Sequence, residues 1–332
     1  MRGVGYKEVK AAIKGLKYTD AASHDHISTR FVKILRKPLL HVMTMICNRS
    51  FQQQTYPDVW KLARVCLLCK DSKEKTNPLK YRPVSVLPGP SKVLEKVVVD
   101  RLVHYMEETQ YFPDAQHGYR ANRSCQTVVL SLQDEILRDL ENGIDSAVVF
   151  CDLSAAFDTL DHESILAKME IYGFPPSNRA QYCMVGGCKS KQECLKKGCP
   201  QGSLSGPQIF SLVFGDIVIV KVTEGVFMII YADDLTLKFR LVGNVQIDEV
   251  LIKRQMEAVQ KWMNSNKLVF NGSKTELLVV SNKRHGLYKD LKLTMDGAVV
   301  HQKMAVRMLG LYLTHNLRQD YYIHQMKKNL VS

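Results

Sequence analysis

The stretch VFMIIYADDLTL at residues 226–237 is the most telling part of this chain. Its first six residues form an unbroken apolar run, the pattern of a strand buried on both faces. Asp233 and Asp234 follow, and apolar residues resume at Leu235 and Leu237. The pattern predicts a hairpin with an acidic pair at its tip. Residues 147–151 (AVVFC) run into Asp152 in the same way. If the two strands are neighbours, three carboxylates meet at strand ends. Bare clustered carboxylates repel one another, so such a site calls for cations. Oxygen-only ligands favour magnesium or manganese, and two such ions about 3.5–4 Å apart serve phosphoryl transfer. An Asp-Asp pair after a strand is also ordinary turn chemistry. The apolar residues on both sides of the pair argue for the metal-binding reading.

Around these strands, helix and strand patterns mix without a regular βαβ repeat, which reads as α+β. Val9, Ala12, Ile13 and Leu16 fall at helical spacing and predict an opening amphipathic helix. Residues 60–68 (WKLARVCLL) read as a strand, and the polar residues 71–80 as a loop or hairpin. Ser91 and Ser124 stand where helix caps are expected. Residues 258–263 read as helix, and residues 277–280 and 308–313 as short strands. The 332 residues are 45% hydrophobic and 24% charged, which excludes extensive disorder. The 46 Lys+Arg against 33 Asp+Glu leave +13, a balance suited to polyanionic partners. Residues 1–100 carry 19 and 8 of these, or +11, so the excess is almost wholly N-terminal. The longest apolar run, residues 209–220, is short for a membrane span and contains Asp216. Lysines interrupt the N-terminus where a signal peptide needs its apolar core, and nine cysteines are an odd number in a chain too long to need disulfide staples. Both point to an intracellular, unsecreted protein. Cys66-x-x-Cys69 has no second C-x-x-C to complete a structural zinc site.

Several further motifs occur in a telling order. Residues 231–234 (YADD), Asp152-Leu153-Ser154-Ala155-Ala156-Phe157-Asp158, Gly198-Cys199-Pro200-Gln201-Gly202-Ser203, Tyr81-Arg82-Pro83-Val84-Ser85 and Gln116-His117-Gly118-Tyr119-Arg120 together resemble the reverse transcriptase of non-long-terminal-repeat (LINE-type) retrotransposons. Trp262, Asn266, Leu268, Asn271, Lys274 and Thr275 match a further family pattern, as does Leu309-Gly310. The resemblance implies a right-hand polymerase core of fingers and palm, with an antiparallel palm sheet and only the stub of a thumb. It places fingers at residues 1–125, palm with interleaved fingers elements at 126–315, and the start of a truncated thumb at 316–332. Asp152, Asp233 and Asp234 would be catalytic and bind two Mg2+ or Mn2+ ions. Lys70 and Arg82 would reach the triphosphate, Phe157 would exclude a 2′-hydroxyl, and Gln201 and Gly202 would line the nucleotide site. Lys274 would be a general acid for pyrophosphate. Asp158 and Asp161 read instead as turn or helix-cap residues.

The implied reaction is RNA-templated addition of deoxynucleotides to a DNA primer, with RNA template, DNA primer and dNTPs as partners, no membrane, and protein partners unknown. The resemblance departs in places. The family's long palm helix after Phe174 is missing, and Ser23 stands where the family has glycine. A truncated or domesticated element that binds nucleic acid without polymerising is the competing expectation.

Overall fold

The computed structural model describes residues 2–69, 76–77, 80–153, 156–170, 180–185, 188–194, 197–281, 288, 291–295 and 297–318. Lys70, most of the loop at 71–80, residues 171–179, which include Phe174, and residues 319–332 lie outside them.

In chain order the elements are α1 (Tyr6–Gly15), α2 (Thr29–Ile34), α3 (Arg36–Gln53), β1 (Leu62–Cys69), β2 (Tyr81–Val86), α4 (Gly89–Glu108), α5 (Cys125–Glu141) and β3 (Ser146–Cys151). There follow α6 (Ala156–Thr159), α7 (His162–Glu170), β4 (Ala180–Val185), β5 (Cys188–Lys189), β6 (Glu193–Cys194), α8 (Gly206–Phe214), β7 (Phe227–Tyr231) and β8 (Asp234–Arg240). The described chain closes with α9 (Val245–Ser265), β9 (Glu276–Val280), β10 (Lys292–Met295), β11 (Ala298–Lys303), β12 (Ala305–Met308) and β13 (Leu311–Thr314). The chain folds as two compact units, one of Met1–Tyr111 with Phe157–Val213, the other of Phe112–Ala156 with Phe214–Ser332.

In the first unit, α1 buries Val9, Ala12 and Ile13, the stripe expected from their spacing. They pack with Val32, Met43, Cys47, Trp60, Val93, Leu94 and Val97. Each buried Val, Ile, Leu or Met among them contributes about 1.5–3 kcal/mol by leaving water. Arg101 on α4 donates twice to Glu8 (2.8 and 3.0 Å) and once to the Arg2 carbonyl (2.7 Å), which fastens the N-terminal segment. Trp60 lies in a 3-10 turn rather than in the strand, because its buried ring turns into this core and β1 starts two residues later. Helix α4 begins before Ser91, whose hydroxyl donates to the Pro88 carbonyl (2.7 Å) from inside the first turn. The sheet of this unit runs β2-β1-β4-β5, with β6 also on β4; β1 and β4 are parallel.

The second unit is built on a six-stranded sheet in the order β10-β11-β9-β3-β8-β7. It is antiparallel except where β9 meets β11 side by side, so the sheet is mixed. Strand β3 lies at its centre, as its continuous apolar run requires. Ser124 caps α5 by accepting from Thr127 N (3.3 Å). The helix lays Val128, Val129, Leu132 and Ile136 against Val148, Ile229, Leu278 and Val280. The apolar segment at 308–313 is two strands, not one: Leu309 and Gly310, with φ of 49° and 88°, make the turn of the β12–β13 hairpin.

Candidate active site in the second unit and loop cluster in the first

Strands β3 and β8 pair antiparallel in a register that sets Cys151 opposite Leu235. One step further, Asp152 therefore stands across from Asp234. Strand β7 returns to β8 through the tip, with Tyr231 opposite Asp234 and Ala232 at a φ of 57°. Three aspartates thus share one end of the sheet. Their mutual repulsion is visible in Asp234. Loss of hydration, then the charges of Asp233 and Asp152, push its pKa up to about 6, although its side chain keeps contact with solvent.

Asp152 is held from its backbone. Its carbonyl accepts from Asn271 N (2.9 Å), and Leu153 bridges to Phe270. The W-x-x-x-N-x-L-x-x-N-x-x-K-T pattern is thereby explained piece by piece. Asn266 closes α9 by donating from its side chain to the Trp262 carbonyl (2.9 Å), and Leu268 is buried. The 3-10 turn Gly272–Lys274 then carries Lys274 Nζ to 3.5 Å from Asp152 Oδ2. That contact is an ion pair without a hydrogen bond, for Asp152 Oδ2 is buried and makes none.

A second support comes from Gln116-His117-Gly118-Tyr119-Arg120. His117 N donates to the Ile230 carbonyl and Ile230 N to the Ala115 carbonyl, both 2.8 Å, so this segment pairs with the edge of β7. Gly118 then passes so close to Ala232 that an added Cβ would collide with its backbone nitrogen. His117 is buried, and burial together with Arg123 and Arg120 pushes its pKa down to about 4. Neutral, it accepts from Arg123 at Nε2 (3.2 Å), while Nδ1 faces the Thr127 hydroxyl (3.0 Å). Tyr119 lies near enough to the acidic tip that, after burial, Asp233 and Asp234 raise its pKa.

The donor set suits a hard cation: three carboxylates, one of whose oxygens is buried and without a hydrogen bond. Among the described residues, however, no three His, Cys, Asp or Glu side chains converge closely enough to hold an ion as they stand. The aspartates share a place and a charge, and rotation of their side chains is needed for them to share a ligand.

The other expected residues lie in the first unit. Phe157, on α6, packs against Phe210 of α8 with ring centroids 4.9 Å apart and the rings tilted by 38°. Gln201 Nε2 donates to both oxygens of Asp158 (2.9 and 2.8 Å), and the Gln201 carbonyl accepts from Ser85 N (2.6 Å). Gly202, at a φ of 116°, presses on the Ser85 carbonyl, which leaves no room for a side chain. Arg82 is exposed on β2 opposite Leu68. The unit thus brings Phe157, Gln201 and Gly202 into one loop cluster, with Arg82 three residues along β2 from Ser85. Asp161 caps α7 by accepting from Ser164 N (3.1 Å). Asp158 does not act as a cap, and nothing local in the chain marks Gln201 as its partner.

A mixed sheet with aspartates at the ends of its central strand and of an adjacent hairpin is the arrangement that the sequence reading expects of a polymerase palm. Comparison with known proteins narrows this. The sequence profile of the reverse transcriptase (RNA-dependent DNA polymerase) family matches residues 72–313. The RNA-directed DNA polymerase from mobile element jockey of Drosophila melanogaster is 25% identical over 343 residues, covering 99% of this chain and 37% of that protein. The probable RNA-directed DNA polymerase from transposon BS of the same fly is 27% identical over 253 residues, covering 72% and 28%. Among solved structures, telomerase from Candida albicans in complex with a TWJ fragment of telomeric RNA shares the fold. Its TM-score is 0.52 at 12% identity, covering 86% of this chain and 49% of that one. The chain belongs to the reverse transcriptase family, in its LINE-type, non-long-terminal-repeat branch. It spans little more than a third of the length of the jockey polymerase.

Proposed function

We propose that this chain is the polymerising core of an RNA-directed DNA polymerase, which adds dNTPs to the 3′-hydroxyl of a DNA primer on an RNA template. The reading rests above all on one observation: Asp152 and Asp234 stand across from each other at adjacent strand ends, with Asp233 beside them. In the reaction the primer O3′ bonds to the α-phosphorus, the bond to pyrophosphate breaks, and the 3′-hydroxyl proton is released. Divalent cations held by Asp152, Asp233 and Asp234 would lower the cost of ionising the 3′-hydroxyl and offset charge on the leaving group. The chain's own residues have separate tasks. Backbone bonds from Asn271 and the 115–118 segment hold the aspartates' strands in place. Lys274 is the proposed proton donor to pyrophosphate.

In the first unit, Phe157 would exclude a 2′-hydroxyl, Gln201 and Gly202 would line the nucleotide, and Arg82 would meet its phosphates. Lys70 keeps the phosphate role implied by the family resemblance. The first unit then supplies fingers and the second the palm. Among the described residues no helix is long and apolar enough to cross a membrane.

The test is primer extension on an RNA template with the purified chain and magnesium, comparing the parent with Asp233→Asn. The expected outcome is extension by the parent and loss of at least about 10²-fold in the variant, the scale on which a key electrostatic group acts. Equal, background incorporation by both would overturn the reading and leave a nucleic-acid-binding element that no longer polymerises.

A further inference from the structure

The Gln201 side chain has a direction, and Asp158 sets it. A carboxylate offers only acceptors, whereas a glutamine amide has one donating and one accepting end. Both Asp158 oxygens receive Gln201 Nε2, at 2.9 and 2.8 Å. The amide nitrogen is therefore turned towards α6, and Oε1 faces the other way. The backbone around the pair is fastened on both sides. Cys199 N donates to the Phe157 carbonyl (2.8 Å) and Gly198 N to the Leu160 carbonyl (2.7 Å), so the loop rides on α6. Ser85 N donates to the Gln201 carbonyl (2.6 Å), and Ser203 Oγ accepts from Gly206 N (3.0 Å). With its backbone pinned and the Nε2 end of its amide engaged, Gln201 has side-chain Oε1 left to offer among the described residues.

We propose that Asp158 is a positioning residue that locks the Gln201 amide with Oε1 outward, so that Gln201 recognises a hydrogen-bond donor on the incoming nucleotide. The inference rests on the polymerase reading for the identity of that ligand. An Asp158 held only to cap or to fill a turn would place no demand on which end of Gln201 faces outward.

The polarity of the pair can be reversed by substitution. In Asp158→Asn the new amide can donate to Gln201 Oε1 as readily as it accepts from Nε2, so the direction of the Gln201 amide is no longer fixed and Oε1 is drawn inward in part of the molecules. In Gln201→Glu two carboxylates face each other and separate. In the double variant the introduced amide donates to one oxygen of the introduced carboxylate, and the other oxygen is again presented outward as an acceptor. The measurement is dNTP affinity for the full chain on an RNA template with a 3′-dideoxy-terminated primer, where no bond can form, alongside extension on an ordinary primer.

Each single variant is expected to raise the dNTP dissociation constant roughly three- to tenfold, the size of one neutral hydrogen bond, with the double variant returning towards the parent. In extension assays the loss should fall on KM rather than kcat. Parental affinity in Asp158→Asn, or a double variant as weak as the two losses combined, would overturn the proposal. So would a parent that binds no dNTP. A parent that binds dNTP without extending the primer would sink the polymerase reading alone, and the affinity cycle would still judge Asp158.

Discussion

Lost hydration, and after it the charges of Asp233 and Asp152, disfavour the ionised form of Asp234, and the effect has a sign. The folded pKa of about 6 lies above the ordinary 3.8, so between these values the folded chain holds a proton that the unfolded chain has lost. Stability therefore falls as pH rises through that window, the opposite of a salt-bridged carboxylate. We expect Asp234→Asn to melt at a higher temperature than the parent at about pH 8 without metal, with the gap closing below about pH 4. Magnesium should narrow the gap by neutralising the cluster. Melting curves across pH with chelator and with magnesium check this, and a gap that ignores pH would contradict it. Phe157 carries a second expectation at this scale. Its ring sits on Phe210, and Phe157→Val should raise ribonucleotide incorporation relative to dNTPs by roughly 10- to 100-fold, the range in which a pocket rejects one hydroxyl. Unchanged selectivity in an active variant would remove its steric role. The aspartates were legible in the sequence because each ends an apolar run. The bond from Asp158 to Gln201 was not, since it joins residues 43 positions apart.

At the scale of elements, the hairpin is held by the segment beside it. Gly118→Ala would push a methyl group into the Ala232 backbone, and we expect a cost of about 1–3 kcal/mol in stability, as for overpacking. Activity should fall further, because the displaced residue adjoins Asp233. Denaturant unfolding and primer extension on the same preparation separate the two effects. A different joint ties α5 to the sheet. Asp139, fully buried on α5, pairs with buried Lys238 and with Arg240 on β8 (2.7 Å) and accepts from Ser146 Oγ on β3 (3.0 Å). Burial opposes the charge of Asp139, yet Lys238, Ser146 and Arg240 hold its pKa below the usual carboxylate range. Asp139→Ala leaves Lys238 buried without its closest partner and should cost about 3–5 kcal/mol, measured by denaturant unfolding. A cost under about 1 kcal/mol would mean that Glu135, 3.6 Å from Lys238, replaces it. The Ser124 cap and the buried stripe of α1 were readable from the sequence. Neither the split of residues 308–313 into a hairpin nor the length of α9 was, because a short apolar run looks alike in one strand or two.

For the whole molecule, charge sets the expectation. The +13 total is concentrated in residues 1–100, and binding to an RNA/DNA hybrid through phosphates should weaken as counterions compete. Affinity should fall at least about tenfold between roughly 50 and 200 mM salt, linearly on logarithmic axes. A flat salt dependence would argue against an electrostatic nucleic-acid surface.

The three aspartates, the buried strands behind them and the family itself could be read along the chain. They depend on residue type and short-range period, which sequence carries directly. Pairing is different in kind. The register that sets Asp152 opposite Asp234, the parallel meeting of β9 and β11 within an otherwise antiparallel sheet, and the grip of Asp158 on Gln201 all join residues far apart in the chain. No local pattern encodes such partners. They arise when the core closes, because buried strands and polar groups must then find hydrogen-bond partners wherever the fold brings them.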